Sequence, residues 1–425
     1  MAKKSTDKPK RTITKRQLSH LQRQKRRHRI ILTLGITVIV AVVALVTVGV
    51  YFQWYLPEEK PMGETVLEVN GATFDMRYFI DALNFQLGDY TYLAEYYLDY
   101  TLQLMEQYEL VIQGANGLGY SVTQDEIDEQ LAGTGYEDNP AARDVVKASL
   151  LMQQLSEDYF RLQLPVNPEQ RHMMAMFLES QAQADEVTQR LANGESFGDI
   201  AAELSLDSTT KEDSGDLGWY PEGVLPSILG TTVLDEAIFQ SPVGQLSQAI
   251  YDEDRIKDLG YWLIKVIGME EDTEGGLIAD VQAILVSSEQ EAEEVLNRLD
   301  DGEDFAELAE EYSQYGTSGE RADIGQIVEG DMTEAFENYV FADDTQVGAV
   351  SPPIADTETS TTGGYWLFRV EASENREISE DDQDILISLA MGDWIQAMQD
   401  DPNTVINTYL DDEKRDFTVN KVTGS

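Results

Sequence analysis

One long internal repeat dominates this sequence, and a repeat decides the architecture before any single motif does. The segment NGESFGDIAAELS (193–205) returns as DGEDFAELAEEYS (301–313), with six of 13 positions identical at an offset of 108. The segment GYWLIKV (260–266) returns as GYWLFRV (364–370), with five of seven positions identical at an offset of 104. Because order and spacing persist over this length, each copy is predicted to be a whole domain rather than one unit of a solenoid.

The patterns inside each copy predict a small α+β domain with an antiparallel sheet and packed helices. MAMFL and QAILV read as short buried strands, and apolar residues three and four apart mark the helices that follow. A tight Asp-X-Gly turn occurs twice, at 216–218 and 323–325, and we interpret it as part of the scaffold. The Gly-Tyr-Trp strand, which alternates with period two, is expected to close its own copy.

Charge divides the chain at its N-terminal end. Residues 1–29 hold 12 Lys/Arg and one acidic residue, and the 23 residues from Ile30 to Phe52 carry no charge. About 20 apolar residues cross a bilayer, so 30–52 is predicted to be a single transmembrane helix, with Tyr51, Trp54 and Tyr55 at the far interface. The basic tail places the N-terminus in the cytoplasm and the bulk of the chain outside it. The alternative is a cleaved signal peptide, which has a shorter apolar core and a small-residue cleavage site that this sequence lacks.

The remainder of the chain carries a net charge of −60 and no cysteine. Such a surface repels nucleic acid and anionic lipid, so no nucleic-acid partner is expected. The absence of cysteine excludes disulfides, thiol catalysis and Cys-based metal sites. Acidic runs such as LDDGED lack the spacing of a calcium loop, and neither a metal nor a cofactor is predicted.

Several motifs in order carry a resemblance to a known family. The run NGESFGDIAAELSLDSTTKEDSGDLGWYPEGV, then LDEAIFQSPVGQLSQAIYDE and GYWLIKV, resembles a parvulin-type (PpiC, or rotamase) peptidyl-prolyl isomerase domain. This first parvulin-like domain spans 168–269, and a second, degenerate one spans 277–372, with an acidic Gly-containing linker between them. The flanking segments resemble those of extracytoplasmic foldases of the SurA, PrsA and PpiD kind.

The same resemblance gives a mainly helical chaperone lobe. VLEVNGATFDMRYFIDAL and YSVTQDEIDEQL look like the opening elements of that lobe, in residues 57–165. A C-terminal helix and strand in 377–423 would complete it. The resemblance implies a groove for unfolded polypeptide clients, and contact with secretion machinery is a further implied partner.

Prolyl isomerisation requires rotation about a bond with a barrier of about 18–20 kcal/mol, without nucleophile, metal or cofactor. Parvulins usually supply a His on the first strand, an acid or Cys after the second helix, and a His on the last strand. Here the two His positions fall on Ala175 and Trp262 in the first copy, whereas the acid position is kept as Asp207. His172 lies three residues before the expected place, and both a surface His without a role and a shifted partner of Asp207 stay open. Asp207 and, more weakly, His172 are the predicted catalytic residues.

The positions that match the family's proline cup give the predicted substrate-binding residues. The first copy has Gly230 where the second has Met332, so its cup has lost one side chain. The second copy has Tyr315 at the acid position and Ala283 at the first His position. The residues predicted to bind substrate are aromatic or aliphatic: Trp219, Leu234, Phe239, Trp262, Met332, Phe336, Phe341 and Trp366.

Three functions stay open on this sequence. The first is a membrane-anchored, extracytoplasmic isomerase and chaperone for secreted or envelope proteins, working on unfolded or proline-containing clients. The second is a non-catalytic scaffold that holds unfolded clients in inactive parvulin domains. The third is an envelope structural protein that binds one dedicated partner. The missing His pair favours the second function, and the retained Asp207 favours the first.

Overall fold

A computed structural model describes residues 39–271, 276–316 and 321–424 of the chain. The described residues form two compact units, one from the residues up to 159 together with those from 391 onwards and the other from the residues between 160 and 390. The predicted cytoplasmic tail 1–29 and the first part of the predicted span, 30–38, lie outside the described residues. Helix α1 covers 39–50. Within the described part of the chain, no helix is long and apolar enough to cross a membrane.

Eleven strands, fifteen further α-helices and four short π- or 3₁₀-helices follow α1 in the described residues. The strands are β1 (Thr65–Val69), β2 (Ala72–Asp75), β3 (Glu169–Leu178), β4 (Asp216–Pro221), β5 (Ile250–Lys257), β6 (Gly260–Glu271), β7 (Leu277–Val286), β8 (Asp323–Val328), β9 (Ile354–Asp356), β10 (Thr361–Asn375) and β11 (Ile406–Thr408). The helices are α2 (Lys60–Met62), α3 (Met76–Leu87), α4 (Ala94–Gly117), α5 (Gln124–Thr134), α6 (Pro140–Leu155), α7 (Gln181–Ala192), α8 (Phe197–Leu204), α9 (Ser208–Glu212), α10 (Leu225–Leu229), α11 (Asp235–Gln240), α12 (Glu289–Asp300), α13 (Phe305–Tyr312), α14 (Glu334–Val340), α15 (Glu380–Gln399) and α16 (Asp412–Thr423).

The first unit is mainly helical. Its short antiparallel sheet has the strand order β11-β1-β2, so a strand from the C-terminal end of the chain pairs with β1. Helix α4 buries Leu98 and Met105 against this sheet and α3. Helix α5 begins at a capping box in which Thr123 and Glu126 satisfy each other's backbone N–H groups.

The second unit contains two four-stranded antiparallel sheets with helices packed against them. The first sheet has the order β4-β3-β10-β5, and the second has the order β8-β7-β6-β9. The prediction of an α+β chain with antiparallel sheets and packed helices is therefore confirmed. Each repeated Asp-X-Gly turn has the same form, since Asp216 accepts a hydrogen bond from Gly218 N and Asp323 accepts one from Gly325 N. Both glycines have a φ of +80°, a conformation that glycine adopts without strain.

The closing strands of the two copies are exchanged, and this differs from the expectation that each Gly-Tyr-Trp strand closes its own copy. Strand β6, from the first copy, pairs with β7 of the second copy through Trp262 and Leu285. Strand β10, from the second copy, pairs with β3 of the first copy through Trp366 and Phe177. The second sheet is thus built from the continuous segment 260–356, which is inserted between β5 and β10 of the first sheet.

Loop closure explains this choice of partners. The two closing strands are nearly identical in sequence, so their side chains hardly distinguish the two sheets. Pairing β6 with β7 closes a hairpin loop of about five residues. If each closing strand completed its own copy instead, two loops of about 80 residues would have to close. The exchanged arrangement as a whole costs about 2 kcal/mol less in loop-closure entropy than that alternative. At the crossover from β5 to β6, Asp258 and Leu259 lack the positive φ of the favoured two-residue hairpin turns. This sequence therefore suits a strand that continues into the other sheet.

Candidate functional site

His172 and Ala175 lie on opposite faces of strand β3. Ala175, at the family's His position, is buried against Trp366, whereas Met174 packs towards helices α7 and α8. Successive side chains on a strand point to opposite faces. His172 therefore lies on the side of Met174, away from Ala175.

His172 has partners of its own at the edge of the first sheet. Its Nε2 lies 2.7 Å from Asp216 Oδ1, and its ring stacks on Trp219 with centroids 5.5 Å apart. The guanidinium of Arg376 also lies over the Trp219 ring, 4.4 Å from its centroid. Since Asp216 also caps the repeated turn, the contacts of His172 belong to that turn and not to Asp207.

Asp207 is almost fully buried, with 3 % of its surface exposed. Its Oδ1 accepts a hydrogen bond of 2.8 Å from Thr210 N, which caps helix α9. Its Oδ2 accepts a hydrogen bond of 2.6 Å from Arg255 Nη2 on strand β5. Both carboxylate oxygens therefore have donors, and the ion pair with Arg255 compensates for the burial of the charge.

We call the apolar cluster around Trp366, Leu234 and Phe239 the first cup. Trp366 is completely buried and packs against Phe177 in a tilted arrangement with ring centroids 4.9 Å apart. Its Nε1 donates a hydrogen bond of 3.0 Å to the buried Asp252. Because Trp366 belongs to β10, the second sequence copy supplies the floor of the first cup. Phe239 is half-buried at its rim.

The second cup is the corresponding cluster around Trp262, Met332, Phe336 and Phe341. Trp262 contacts Phe336 edge-on at 5.0 Å, and its Nε1 donates a hydrogen bond of 2.9 Å to Asp356. Tyr315, at the acid position, packs against Trp262 at 5.2 Å. The second cup thus has an aromatic ring where the first has a carboxylate.

Burial divides the eight predicted substrate-binding residues into two groups of four. Leu234, Trp262, Phe336 and Trp366 are core residues with 1 % exposure or less. Trp219, Phe239, Met332 and Phe341 are half-buried. The second group is partly exposed to solvent, whereas the first group lies in the core beneath the cups.

Arg255 is a site residue that sequence reasoning missed. The guanidinium approaches Gly230, and a Cβ atom at that glycine would lie 2.9 Å from Arg255 Nη1. The second copy has Met332 in place of the glycine and Thr359 in place of the arginine. The signal was present in the sequence as this pair of coupled differences between the copies, but no motif pointed to it.

The crossover beside the first cup contains a buried amine. Lys257, with 2 % exposure, donates a hydrogen bond to the carbonyl oxygen of Gly363. Burial lowers the pKa of Lys257 to about 8, and the nearby carboxylates of Glu291 and Glu179 oppose that shift.

Across the described ranges, no group of three or more His, Cys, Asp or Glu side chains is arranged to hold a metal ion.

Comparison with known proteins gives matches to both copies. A family model described as the PPIC-type PPIASE domain matches residues 280–372, and a second model with the same description matches 137–271. Chaperone SurA of Methylobacillus flagellatus is 28 % identical over 243 residues, which cover 52 % of this chain and 51 % of that protein. Foldase protein PrsA of Exiguobacterium sibiricum is 32 % identical over 129 residues, which cover 30 % of this chain and 40 % of that protein.

The chain spans about half the length of the curated relatives that it matches. Among solved structures, a peptidyl-prolyl isomerase (PrsA) from Bacillus cereus aligns over 85 % of this chain and 92 % of its own, with 11 % identity and a TM-score of 0.28.

Proposed function

Since this chain carries two PPIC-type domains and belongs to the SurA/PrsA-like parvulin proteins, we propose that it is a membrane-anchored, extracytoplasmic peptidyl-prolyl isomerase and chaperone. Its clients are unfolded or proline-containing polypeptides on their way to secretion or to the envelope. The sequence copies 168–269 and 277–372 are the isomerase-like domains, and residues 57–165 with 377–423 form the chaperone lobe. Secretion machinery is the neighbour that such a location implies.

The observation that carries the catalytic part is the placement of Asp207 beside the first cup. Isomerisation needs an apolar seat for the proline ring and polar groups that stabilise the twisted amide. The first cup offers Phe239 at its rim and the Asp207–Arg255 pair beside it. The second cup has the aromatic seat without such a pair, so we assign it a binding role.

The test is a protease-free isomerisation assay on the full chain in detergent, with short X-Pro peptides. Asp207→Asn should lower kcat/KM by about tenfold or more, because it neutralises the group that holds Arg255. Asp323→Asn is the matched control: it neutralises a turn-capping Asp in the second copy and should leave the rate unchanged. An unchanged rate in Asp207→Asn would remove that residue from the site.

A second candidate, a non-catalytic scaffold, is favoured by one observation. The family's His positions near Asp207 are filled by Ala175 and Trp366, which are both fully buried. If the wild-type chain gives no rate above the uncatalysed background, the scaffold is the better description. In that case the cups would act as binding surfaces alone.

The chaperone part is supported by exposed tyrosines on the helical unit. Tyr92, Tyr96 and Tyr100, four residues apart along the start of α4 and the turn before it, have exposures of 71, 81 and 50 %. Rigid aromatic surface of this kind binds varied partners. Replacing all three by Ser should weaken the suppression of client aggregation. The control Leu162→Ser/Val166→Ser removes equally exposed apolar residues elsewhere and should have little effect.

The anchoring part rests on the uncharged run 30–52 and on the basic residues before it. We expect the chain to stay with the membrane fraction after extraction at high pH. A protease added outside the cells should remove residues after 57. Release of the intact chain by alkali would contradict anchoring, and protection from the external protease would contradict the orientation.

A further inference from the structure

Arg255 is held in a defined position at the side of the first cup. Its Nη2 donates to Asp207 Oδ2 at 2.6 Å, and the second oxygen of that carboxylate is fixed by Thr210 N. The arginine side chain is 24 % exposed, while Asp207 beneath it is buried. The carboxylate therefore orients a guanidinium that solvent, and so a client, can reach.

The cup is built to accommodate this guanidinium. Any side chain at Gly230 would meet Arg255 Nη1, and this glycine is exposed at the surface. In the second copy, Met332 occupies the position of the glycine and Thr359 the position of the arginine. Within one chain, the methionine and the arginine thus replace each other at the same part of the two cups.

The guanidinium has unused donors. An arginine carries five N–H groups and stays protonated at all physiological pH values. One bond goes to Asp207, and Nε of Arg255 is buried without a hydrogen-bond partner among the described residues. The donors that a client can reach are the remaining N–H groups on the exposed part of this guanidinium, and a client's peptide group supplies the acceptor for them.

In the twisted state of an X-Pro bond, the amide nitrogen and the carbonyl oxygen are no longer conjugated, and the nitrogen becomes a better hydrogen-bond acceptor. We propose that Arg255 is the donor that stabilises this twisted amide, in place of the histidines that parvulins use, and that Asp207 is its positioning residue. This inference rests on the proposed isomerase function. No bond is broken and no proton is transferred, because the donor keeps its hydrogen throughout.

The experiment measures isomerisation of an Ala-Pro peptide by exchange NMR on the full chain in detergent, from about pH 6 to pH 9. A rate that depends on a guanidinium is flat over this range, whereas an imidazole donor gives a rate that changes with pH. Arg255→Gln should lower kcat about tenfold or more with little change in KM. Arg255→Lys keeps the charge and should recover part of the rate.

Arg321→Gln is the matched control. It removes a second arginine whose Nε is buried without a partner, one that belongs to the second copy and lies outside the site, and it should leave the rate unchanged. If Arg255→Gln does not fold, the double variant Asp207→Asn/Arg255→Gln is measured in its place, because it leaves no unpaired buried charge. We expect the same loss of kcat in this neutral pair. Melting curves report folding.

Each outcome decides something different. A flat pH profile with loss of rate in Arg255→Gln or in the neutral pair supports the inference. A wild-type rate that persists in these variants, or a rate that still titrates with pH once Lys257→Met has removed the buried amine beside the cup, overturns the role of Arg255 and leaves the isomerase function standing. No catalysed rate in the wild-type chain overturns both.

Discussion

The exchange of closing strands predicts which cysteine pair forms a disulfide in this cysteine-free chain. Glu169 on β3 and Asn375 on β10 are direct partners in the first sheet, and both are exposed. Partners in an antiparallel pair have Cα atoms about 4.5–5.5 Å apart, within the range that a disulfide bridges. The double variant Glu169→Cys/Asn375→Cys should therefore crosslink on mild oxidation.

The size of the effect follows from the loop that the bond closes. Between positions 169 and 375 lie about 200 residues, for which the chain-entropy model gives about 5 kcal/mol and experience with disulfides gives about 2–4 kcal/mol. For a unit of this length, that corresponds to a rise in Tm of about 5–15 °C. The substitutions also remove the exposed hydrogen bonds from Ser373 to Glu169 and from Asn375 to Asn167, a small loss by comparison.

The matched control comes from the repeat itself. Glu271 occupies in the first copy the position that Asn375 has in the second, and it pairs with Leu277 rather than with Glu169. Glu169→Cys/Glu271→Cys should stay reduced and show no rise in Tm. Free-thiol titration, mobility on non-reducing gels and melting with and without reductant measure both variants. Crosslinking of the control pair together with failure of the first pair would refute the exchange.

Three further predictions concern the second unit. The unfolded chain keeps the proton of Lys257 up to its ordinary pKa of 10.5, while the folded chain loses it near pH 8. The free energy of unfolding measured in urea should therefore rise between pH 8 and pH 10.5 by up to about 1.4 kcal/mol per pH unit. In Lys257→Met this rise should be absent. Trp366→Phe should lower the free energy of unfolding in urea by about 2–4 kcal/mol, because Asp252 loses its buried indole donor. Trp262→Phe should lower it less, because its partner Asp356 keeps hydrogen bonds from Thr333 and from Glu358 N. Equal losses in the two variants would contradict this reasoning. The fragment 260–356 contains every strand of the second sheet and should give a cooperative melt and dispersed NMR signals alone; failure of this fragment to fold would contradict the insertion.

Local features of the fold were readable from the sequence because they depend on neighbouring residues. The repeated Asp-X-Gly turns, the capping box of Thr123 with Glu126 and the period-two pattern of the Gly-Tyr-Trp strands all have this origin. The predicted acid position was also informative, since Asp207 lies beside an apolar cup. The family followed from several such motifs in order.

The composition of the site was not readable in the same way. Arg255 lies 48 residues from Asp207 in the chain, and the two meet only because β5 and the start of α9 are brought to the same side of the first sheet. His172 shows the converse, because it is close in sequence to the expected His position and yet lies on the other side of the strand. The alternation of side chains along β3 predicted that His172 would face away from the expected His position. The structure adds that its ring contacts Asp216 instead.

The sequence by itself determined the elements of this protein, the two parvulin-type copies and the uncharged run that precedes them. Tertiary structure decided which copy each closing strand completes, since GYWLIKV and GYWLFRV have almost the same side chains and fit either sheet. The physical reason is that side-chain pattern sets the face and register of a strand, whereas the choice between two equivalent partners depends on the entropy of the connecting loops. That choice places Trp366 from the second copy beneath the first cup, beside Asp207 and Arg255.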